Sequence, residues 1–361
     1  MPNSQSQPES GYRKEARTPG YPGDLVTGSW DGSIRMWSTD TGASLAILCC
    51  HEADVECMAV TPDGAQIVTG SWDETVRIWD ASTHAQITVL KGHSGIVHDL
   101  KLMPNWAAEP RIVSGSEDKT ARIWDARNAT EIAVLAGHTE AVRDVAVTPD
   151  GSRIVTASWD GTGRIWDGRT GAEIAVLRDH TDALECLAVT PDGSCAITGS
   201  LDNTARVWDT RTGAQVMVLY GHTGRVMDIA VSADGSRIYT GSLDGTTRIW
   251  DAKTGAMVAM GQEPDQVMCL TLTPGGDRIV TGSFGNIARI LDAGTGQEIA
   301  VLSGHEGILT KVAVSPDGSR IITGSSDGTA GIWNAATNAL IRRCRHNGHS
   351  DPIECVAVRP A

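Results

Sequence analysis

Histidine, serine and aspartate recur together along this chain, and such a set is how hydrolases build a nucleophile: the imidazole takes the hydroxyl proton while the carboxylate orients the imidazole. The set reads His51, Ser71, Asp73; His93, Ser116, Asp118; His138, Ser158, Asp160; His180, Ser200, Asp202; His222, Ser242, Asp244; and His305, Ser325, Asp327. A tryptophan closes each set, at Trp79, Trp124, Trp166, Trp208, Trp250 and Trp333. A further set joins the two ends of the chain, His349 with Ser29, Asp31 and Trp37. An enzyme needs one such site. Recurrence in unit after unit argues for a buried hydrogen-bond network that holds each unit together, and against catalysis. The bonding hydroxyl is either the Ser of the set or the Ser or Thr two residues earlier, as at Thr69, since both face the same side of a strand. Hydrogen bonds to charged groups are worth roughly 1.5 to 3 kcal/mol each, so loss of these aspartates is expected to damage folding first.

The elements that position these residues follow from the period. Trp37, Trp79, Trp124, Trp166, Trp208, Trp250, Leu291 and Trp333 are separated by 42, 45, 42, 42, 42, 41 and 42 residues. A fixed period of that length marks a repeat architecture in which no unit buries its apolar face alone. One unit, residues 138 to 177, reads as four strands: Ala141 to Thr148, Arg153 to Ser158, Thr162 to Trp166 and Glu173 to Leu177, labelled a to d. Pro149-Asp150-Gly151 and Trp159-Asp160-Gly161 supply the turns between them. No helix is expected.

Each unit opens with Gly-His or a variant, carries Ser-x-Asp before strand c and ends in Trp-Asp or nearly so, as at Gly137-His138, Ser158-Trp159-Asp160 and Trp166-Asp167. In this the chain resembles the WD-repeat β-propeller family from Asp24 to Ala361. The resemblance implies an all-β, eight-bladed propeller with four antiparallel strands per blade, in which the recurring tetrad links the strands. The amino-terminal part has strands b (Asp24 to Ser29), c (to Trp37) and d (Ser44 to Leu48) but no strand a. That strand occurs at the other end, Asp351 to Val358, so the carboxyl-terminal segment is expected to complete the amino-terminal blade and remove two open edges. The chain is thus read as a single propeller over residues 24–361 behind a polar segment, residues 1–23, without regular structure.

Blade seven departs from the pattern. Glu263, Gly285 and Leu291 stand where His, Asp and Trp are called for, although Ser283 remains. A half-satisfied buried network costs more than none, so a joint loss is easier to tolerate than a single one.

Composition narrows the function classes. With 44 acidic against 30 basic residues the net charge is -14, which disfavours binding to a phosphate backbone. No apolar run approaches a membrane-spanning length, and a cytoplasmic, monomeric protein without cofactor or metal is expected. Of the eight cysteines, Cys57, Cys186, Cys269 and Cys355 share one repeat position and read as replacements of a small buried residue rather than as a disulfide framework. Cys344-x-His346-x-x-His349 is a weak zinc half-site, and Cys49-Cys50 reads as a pair of free thiols.

Recognition is sought where the units differ. In the resembled family the loops joining d to a and b to c gather around the mouth of the central channel. Three positions per blade should reach it: the third and fifth residues after the His position and the residue before the turn Asp. The candidate partner-binding residues read there are Trp30, Trp72, Trp159, Phe284, Leu201, Leu243, Met227, Met268, Asp54, Glu56, Glu185, Glu354, His98, Arg143 and Arg225. Exposed aromatics beside Leu and Met are what interface centres are made of. The acids next to Trp30 and Trp72 would suit a cationic, partly apolar segment by charge pairing and cation-π attraction. The leading reading is a non-enzymatic protein or peptide scaffold. Alternatives are packing of the turn tryptophans on the next blade, or a small-molecule binder or enzyme using His98, Glu56, Glu117, Glu185 or Arg143 in the mouth.

Overall fold

The computed structural model describes residues 23–48, 51–346 and 351–360. Thirty-two strands, β1 to β32, form eight four-stranded antiparallel sheets, and no helix occurs among the described residues. No helix there is long and apolar enough to cross a membrane. Blade 2 shows the plan: β4 (Val55–Val60), β5 (Gln66–Ser71), β6 (Thr75–Asp80) and β7 (Gln86–Lys91) pair in sequence order as strands a to d. In the unit read from sequence the strands fall at Val142–Val147, Arg153–Ser158, Gly163–Asp167 and Glu173–Leu177, close to the expected bounds.

The turn between strands b and c needs a left-handed residue after its aspartate, or after Gly285 in blade seven. Glycine supplies it at Gly32, Gly161, Gly245 and Gly328, whereas Glu74, Lys119, Asn203 and Asn286 adopt φ of 66, 72, 69 and 62°. The ring closes as expected: β32 (Ile353–Val358) pairs antiparallel with β1 (Leu25–Ser29), which continues into β2 (Ile34–Trp37) and β3 (Ser44–Leu48).

The apolar core lies between blades rather than within them. Trp79 of blade 2 packs with Val26, Ile34, Met36 and Leu48 of blade 1, and Trp37 packs with Ile322, Ala330 and Ile332 of blade 8, so the closing interface is built like its neighbours. Approach is close enough that a Cβ on Gly70 would sit 2.7 Å from Val97 Cγ1 of the next blade.

The recurring polar set is a strand-linking network. In blade 4, Trp166 Nε1 donates to Thr156 Oγ1 (3.0 Å), Thr156 Oγ1 meets His138 Nε2 (2.7 Å) and His138 Nδ1 meets Asp160 Oδ2 (2.9 Å). All bonds are satisfied if the neutral imidazole donates from Nδ1 and accepts at Nε2. Thr69, Ser114, Thr198, Thr240 and Thr323 hold the same place between Trp and His in their blades. The central hydroxyl is therefore the earlier residue. Ser158 instead donates to Glu140 O and accepts from Asp160 N, and so ties the turn to the d–a loop. Thr156, and Ser114 in blade 3, are fully buried, so the hydroxyl on the imidazole is not an exposed nucleophile.

At the seam the imidazole is that of His346: Nε2 lies 2.7 Å from Thr27 Oγ1, to which Trp37 Nε1 also donates at 2.9 Å. Its Nδ1 lies 3.1 Å from Ser33 Oγ and 3.8 Å from Asp31. This corrects the expectation of His349, which lies outside the described residues, as does Cys49-Cys50. The Gly-His spacing pointed to His349, but the outer strand of blade 8, Leu340–Arg345, delivers His346 directly to the network. His346 is thereby engaged in the fold rather than in a metal half-site.

Blade seven has exchanged its network rather than lost it. Glu263, 2% exposed, pairs with Arg289 Nη1 at 3.4 Å, and Arg289 Nε donates to Glu298 at 3.1 Å. The equivalent arginine of blade 2, Arg77, pairs with the turn aspartate Asp73 at 3.0 Å. One carboxylate and one guanidinium persist, with the carboxylate moved from the Asp position to the His position. Burial raises the Glu263 pKa, against the pull of Thr281 and Arg289. Thr281 Oγ1 lies near enough to bias that carboxyl but makes no well-formed hydrogen bond.

Candidate functional site at the channel mouth

The eight inner strands line a central channel with a cavity of about 480 Å³. What reaches its mouth is decided by a backbone irregularity repeated in every blade. In each strand a the pairing with strand b slips around the second residue: Val55 pairs with Ser71 and Cys57 with Gly70, leaving Glu56 as the extra residue of a β-bulge. The same slip isolates His98, Arg143, Glu185, Met227, Met268, Thr310 and Glu354. A bulge re-aims its unpaired residue. Seven of these eight, all but His98, line the cavity.

A second repeated contact joins the other two positions of each blade. The amide of the turn residue donates to the carbonyl of the d–a loop, as Trp72 N to Asp54 O (2.9 Å), Trp159 N to Ala141 O (3.0 Å), Phe284 N to Gln266 O (2.9 Å) and Trp30 N to Pro352 O (3.1 Å). The three sequence positions thus converge on the mouth in every blade. Trp30, Trp72, Trp159 and Phe284 are 45, 43, 44 and 51% exposed and border the rim rather than the cavity. Leu201, Leu243 and Asp54 are half-buried there, and Arg225 is exposed.

From blade 2 to blade 5 the mouth is a connected arc. Trp72 Nε1 donates to Glu56 Oε2 (2.9 Å), and Arg143 Nη1 donates to Glu56 Oε1 (3.0 Å). Arg143 Nε donates to Glu185 Oε1 (3.0 Å), and Trp159 Nε1 to Glu185 Oε2 (3.4 Å). His98 sits beside the arc, 3.4 Å from Arg143 Nη1 and with its ring 5.8 Å from that of Trp159; its Nε2 is buried without a partner among the described residues. Burial alone would raise the Glu56 carboxyl, but the His98 imidazole 3.8 Å away, the Arg143 charge and the bonds from Trp72 and Arg143 bring its pKa down to about 2.

Across the mouth, blades 1 and 2 differ. Trp30 and Trp72 lie 6.4 Å apart, tilted by 43°. Glu354 lines the cavity, has no cationic nitrogen within 4 Å among the described residues, and is pushed up to about 7 by burial and by the Glu56 charge, against the pull of Arg143 and of the nearby Trp30 indole. Asp54 is raised as well, by burial and by Glu56 and Asp351.

Below the mouth runs a ring that the sequence reading missed. The position of Cys57, Cys186, Cys269 and Cys355 carries Asp99, Asp144, Asp228 and Lys311 in the other blades, so it is not a slot for small residues. In six of the eight blades it ties one blade to the next: Asp99 accepts from Val145 N (3.2 Å), Asp144 from Leu187 N (2.8 Å) and Asp228 from Leu270 N (2.8 Å), while the thiols of Cys57, Cys186 and Cys355 donate to Val97 O (3.6 Å), Val226 O (3.6 Å) and Val55 O (3.7 Å). Lys101 Nζ reaches Asp99 (2.5 Å) and Asp144 (3.8 Å). Asp144, buried beside Asp99, is raised well above the usual carboxylate range. Comparing the cysteine position across all blades would have exposed this ring. On the opposite face, Trp106 packs against the blade 2–3 core.

Comparison with known proteins gives a consistent picture. The family model described as WD domain, G-beta repeat matches residues 18–38, 42–80, 84–125, 129–167, 171–209, 213–251 and 296–334, well over half of the chain. The unmatched gap from 252 to 295 contains the inner three strands of blade seven. No curated protein matches. Among solved structures, the computationally designed Ika8 protein is similar in fold, with a TM-score of 0.77 and 24% identity over 88% of this chain and 98% of that one.

Proposed function

Starting from the fact that this chain belongs to the WD40 repeat family, whose propellers typically serve as protein-interaction scaffolds, we propose that it holds a cationic, partly apolar protein segment at the channel mouth. The observation that carries this reading is the grouping of three half-exposed tryptophans with Glu56, Glu185 and Glu354 around a cavity of about 480 Å³. Exposed indoles offer large rigid contact area at little entropic cost, and the acid excess selects for positive charge. Leu201, Leu243, Met227, Met268 and Phe284 would receive the apolar part of the segment, and Arg225 would tolerate an acidic flank.

The alternative of an enzyme draws some support from the meeting of His98, Glu56, Arg143 and Glu185. Yet Glu56, held near pKa 2, is no base at neutral pH, and both glutamates are already bonded to Arg143. Selecting displayed random peptides on the wild-type protein tests the scaffold reading. Recovered sequences should be rich in Lys or Arg beside apolar residues and should fail to bind a Trp30→Ala, Trp72→Ala double variant. Peptides that are acidic, or indifferent to that variant, contradict it.

A further inference from the structure

Each blade ends in an outer strand with one unpaired edge, whose open row of N–H and C=O groups can pair with a further strand. In β23 (Met257–Gln262) the one neighbour is β22 (Thr246–Asp251). Exposed aliphatic side chains recur on these outer strands, as at Ile132, Val134, Ile174, Ile299 and Val301, and so single out no blade. What differs is the charge beside them. In blades 3, 4 and 7 the outer strand supplies a glutamate to the arginine of strand c: Glu131 to Arg122, Glu173 to Arg164 and Glu298 to Arg289. In blades 2 and 5 a glutamine carbonyl takes that guanidinium, Gln86 accepting from Arg77 (3.1 Å) and Gln215 from Arg206 (2.5 Å).

Blade 6 has neither. Met257 stands at the glutamate position, so Arg248 Nη1 meets the thioether Sδ at 3.6 Å, a weak acceptor. Arg248 Nε donates to Thr246 Oγ1 at 3.3 Å, and no carboxylate lies within 4 Å of the guanidinium among the described residues. The strand itself, Met-Val-Ala-Met-Gly-Gln, carries no charge. Met257, Val258 and Met260 are exposed on it, with Met260 opposite Arg248 in register. Tyr220, 69% exposed, stands where Lys91, Ala136, Arg178 and Ser303 stand in other blades. Its loop runs against the same arginine, since a Cβ on Gly221 would fall on Arg248 Nη1.

We propose that the outer edge of blade 6 is a second docking surface, separate from the mouth, which takes an extended acidic segment of a partner protein as a fifth strand. The backbone of the segment pairs with β23, its apolar residues lie over Val258 and Met260, and one carboxylate takes Arg248 beside Tyr220. Charge argues against a second copy of this chain as the occupant. Its uncharged outer strands, β3, β19 (Gln215–Leu219) and β23, bring no acid to Arg248, and Glu131, Glu173 and Glu298 are held by arginines of their own blades.

The test selects displayed random decapeptides on a Trp30→Ala, Trp72→Ala background, which removes the mouth aromatics. Recovered peptides should alternate apolar residues and carry an Asp or Glu. Met257→Glu recreates the arginine–glutamate pair of three other blades, so it should match the parent in thermal midpoint yet weaken these peptides about tenfold or more. Changing the peptide acid to its amide should cost about tenfold on the parent and little on Arg248→Gln, which isolates that pair. N-methylation of every second backbone amide should abolish binding in one register and spare it in the other, as strand pairing requires. A selection that yields no peptide weakened by Met257→Glu, or yields peptides without an acid, overturns the proposal. So does a dimer in sedimentation that Met257→Glu dissolves, because the occupant is then a second copy.

Discussion

Replacing Thr156 by valine keeps the shape of blade 4 and removes one hydroxyl. That hydroxyl is fully buried, accepts from Trp166 Nε1 at 3.0 Å and bonds His138 Nε2 at 2.7 Å. Thr156→Val strands a buried donor and a buried acceptor where water cannot reach. Each orphan costs about 1 to 3 kcal/mol, so the variant should lose about 2 to 6 kcal/mol. Ser158→Ala removes bonds to Glu140 O and Asp160 N at the partly exposed turn, where water can substitute, and should lose about 1 kcal/mol. Thr156→Ser keeps the hydroxyl, as blade 3 does naturally with Ser114, and should lose about 1 kcal/mol for its methyl group. Urea unfolding followed by tryptophan fluorescence ranks the three by midpoint at equal slope. A midpoint for Ser158→Ala at or below that of Thr156→Val would refute the assignment of the earlier hydroxyl as the hub.

Other consequences follow from the same networks. His51, His222 and His346 are buried with pKa values lowered below 6.5, and Asp73, Asp118, Asp160, Asp202, Asp244 and Asp327 are lowered because hydrogen bonds outweigh their burial. Both kinds of group bind protons more readily when unfolded, so stability should be full above about pH 6.5, begin to fall below it, and fall steeply below about pH 4; thermal midpoints against pH measure this. In blade seven, Glu263→His alone removes the buried partner of Arg289, leaving it only the exposed Glu298, without restoring a turn aspartate, and should destabilise by about 1 to 3 kcal/mol. Joining it to Gly285→Asp and Leu291→Trp should recover most of that loss, with Asp265 swinging away from the new Cβ; a triple variant no better than the single one contradicts the exchange. At the seam, His346→Ala should destabilise by about 1 to 3 kcal/mol, as denaturation midpoints will show.

Much of the architecture is legible in the chain because it is written many times. The Trp spacing marks the units, and the absent first strand at one end matches the extra strand at the other, as β32 on β1 bears out. Choosing between Thr69 and Ser71 was beyond alternation, because residues two apart share a strand face; only their distances to His51 separate them. The fifth position after each histidine could be suspected of facing the channel, but the bulge that turns Glu56 or Arg143 there leaves no mark in residue type. Nor does spacing reveal that Arg143 bridges Glu56 and Glu185, residues 87 and 42 positions away that meet because successive blades curve around the channel. Glu263 and Leu291 read as losses because Arg289, common to most blades, looked unremarkable until its new partner was seen.

What every blade repeats is distinct from what differs at the mouth, and ten of the eleven tryptophans, all but Trp106, divide the same way. Trp37, Trp79, Trp124, Trp166, Trp208, Trp250 and Trp333 are buried between blades, while Trp30, Trp72 and Trp159 are exposed at the rim. Indole N–H resonances, assigned by Trp→Phe substitution and followed during titration with a selected cationic peptide, read both groups at once. Saturable shifts are expected for Trp30 and Trp72, with Trp159 following through Glu185 and Arg143, and unmoved signals for the buried seven. Shifts confined to the buried set, or binding that leaves Trp30 and Trp72 unmoved, would contradict this division.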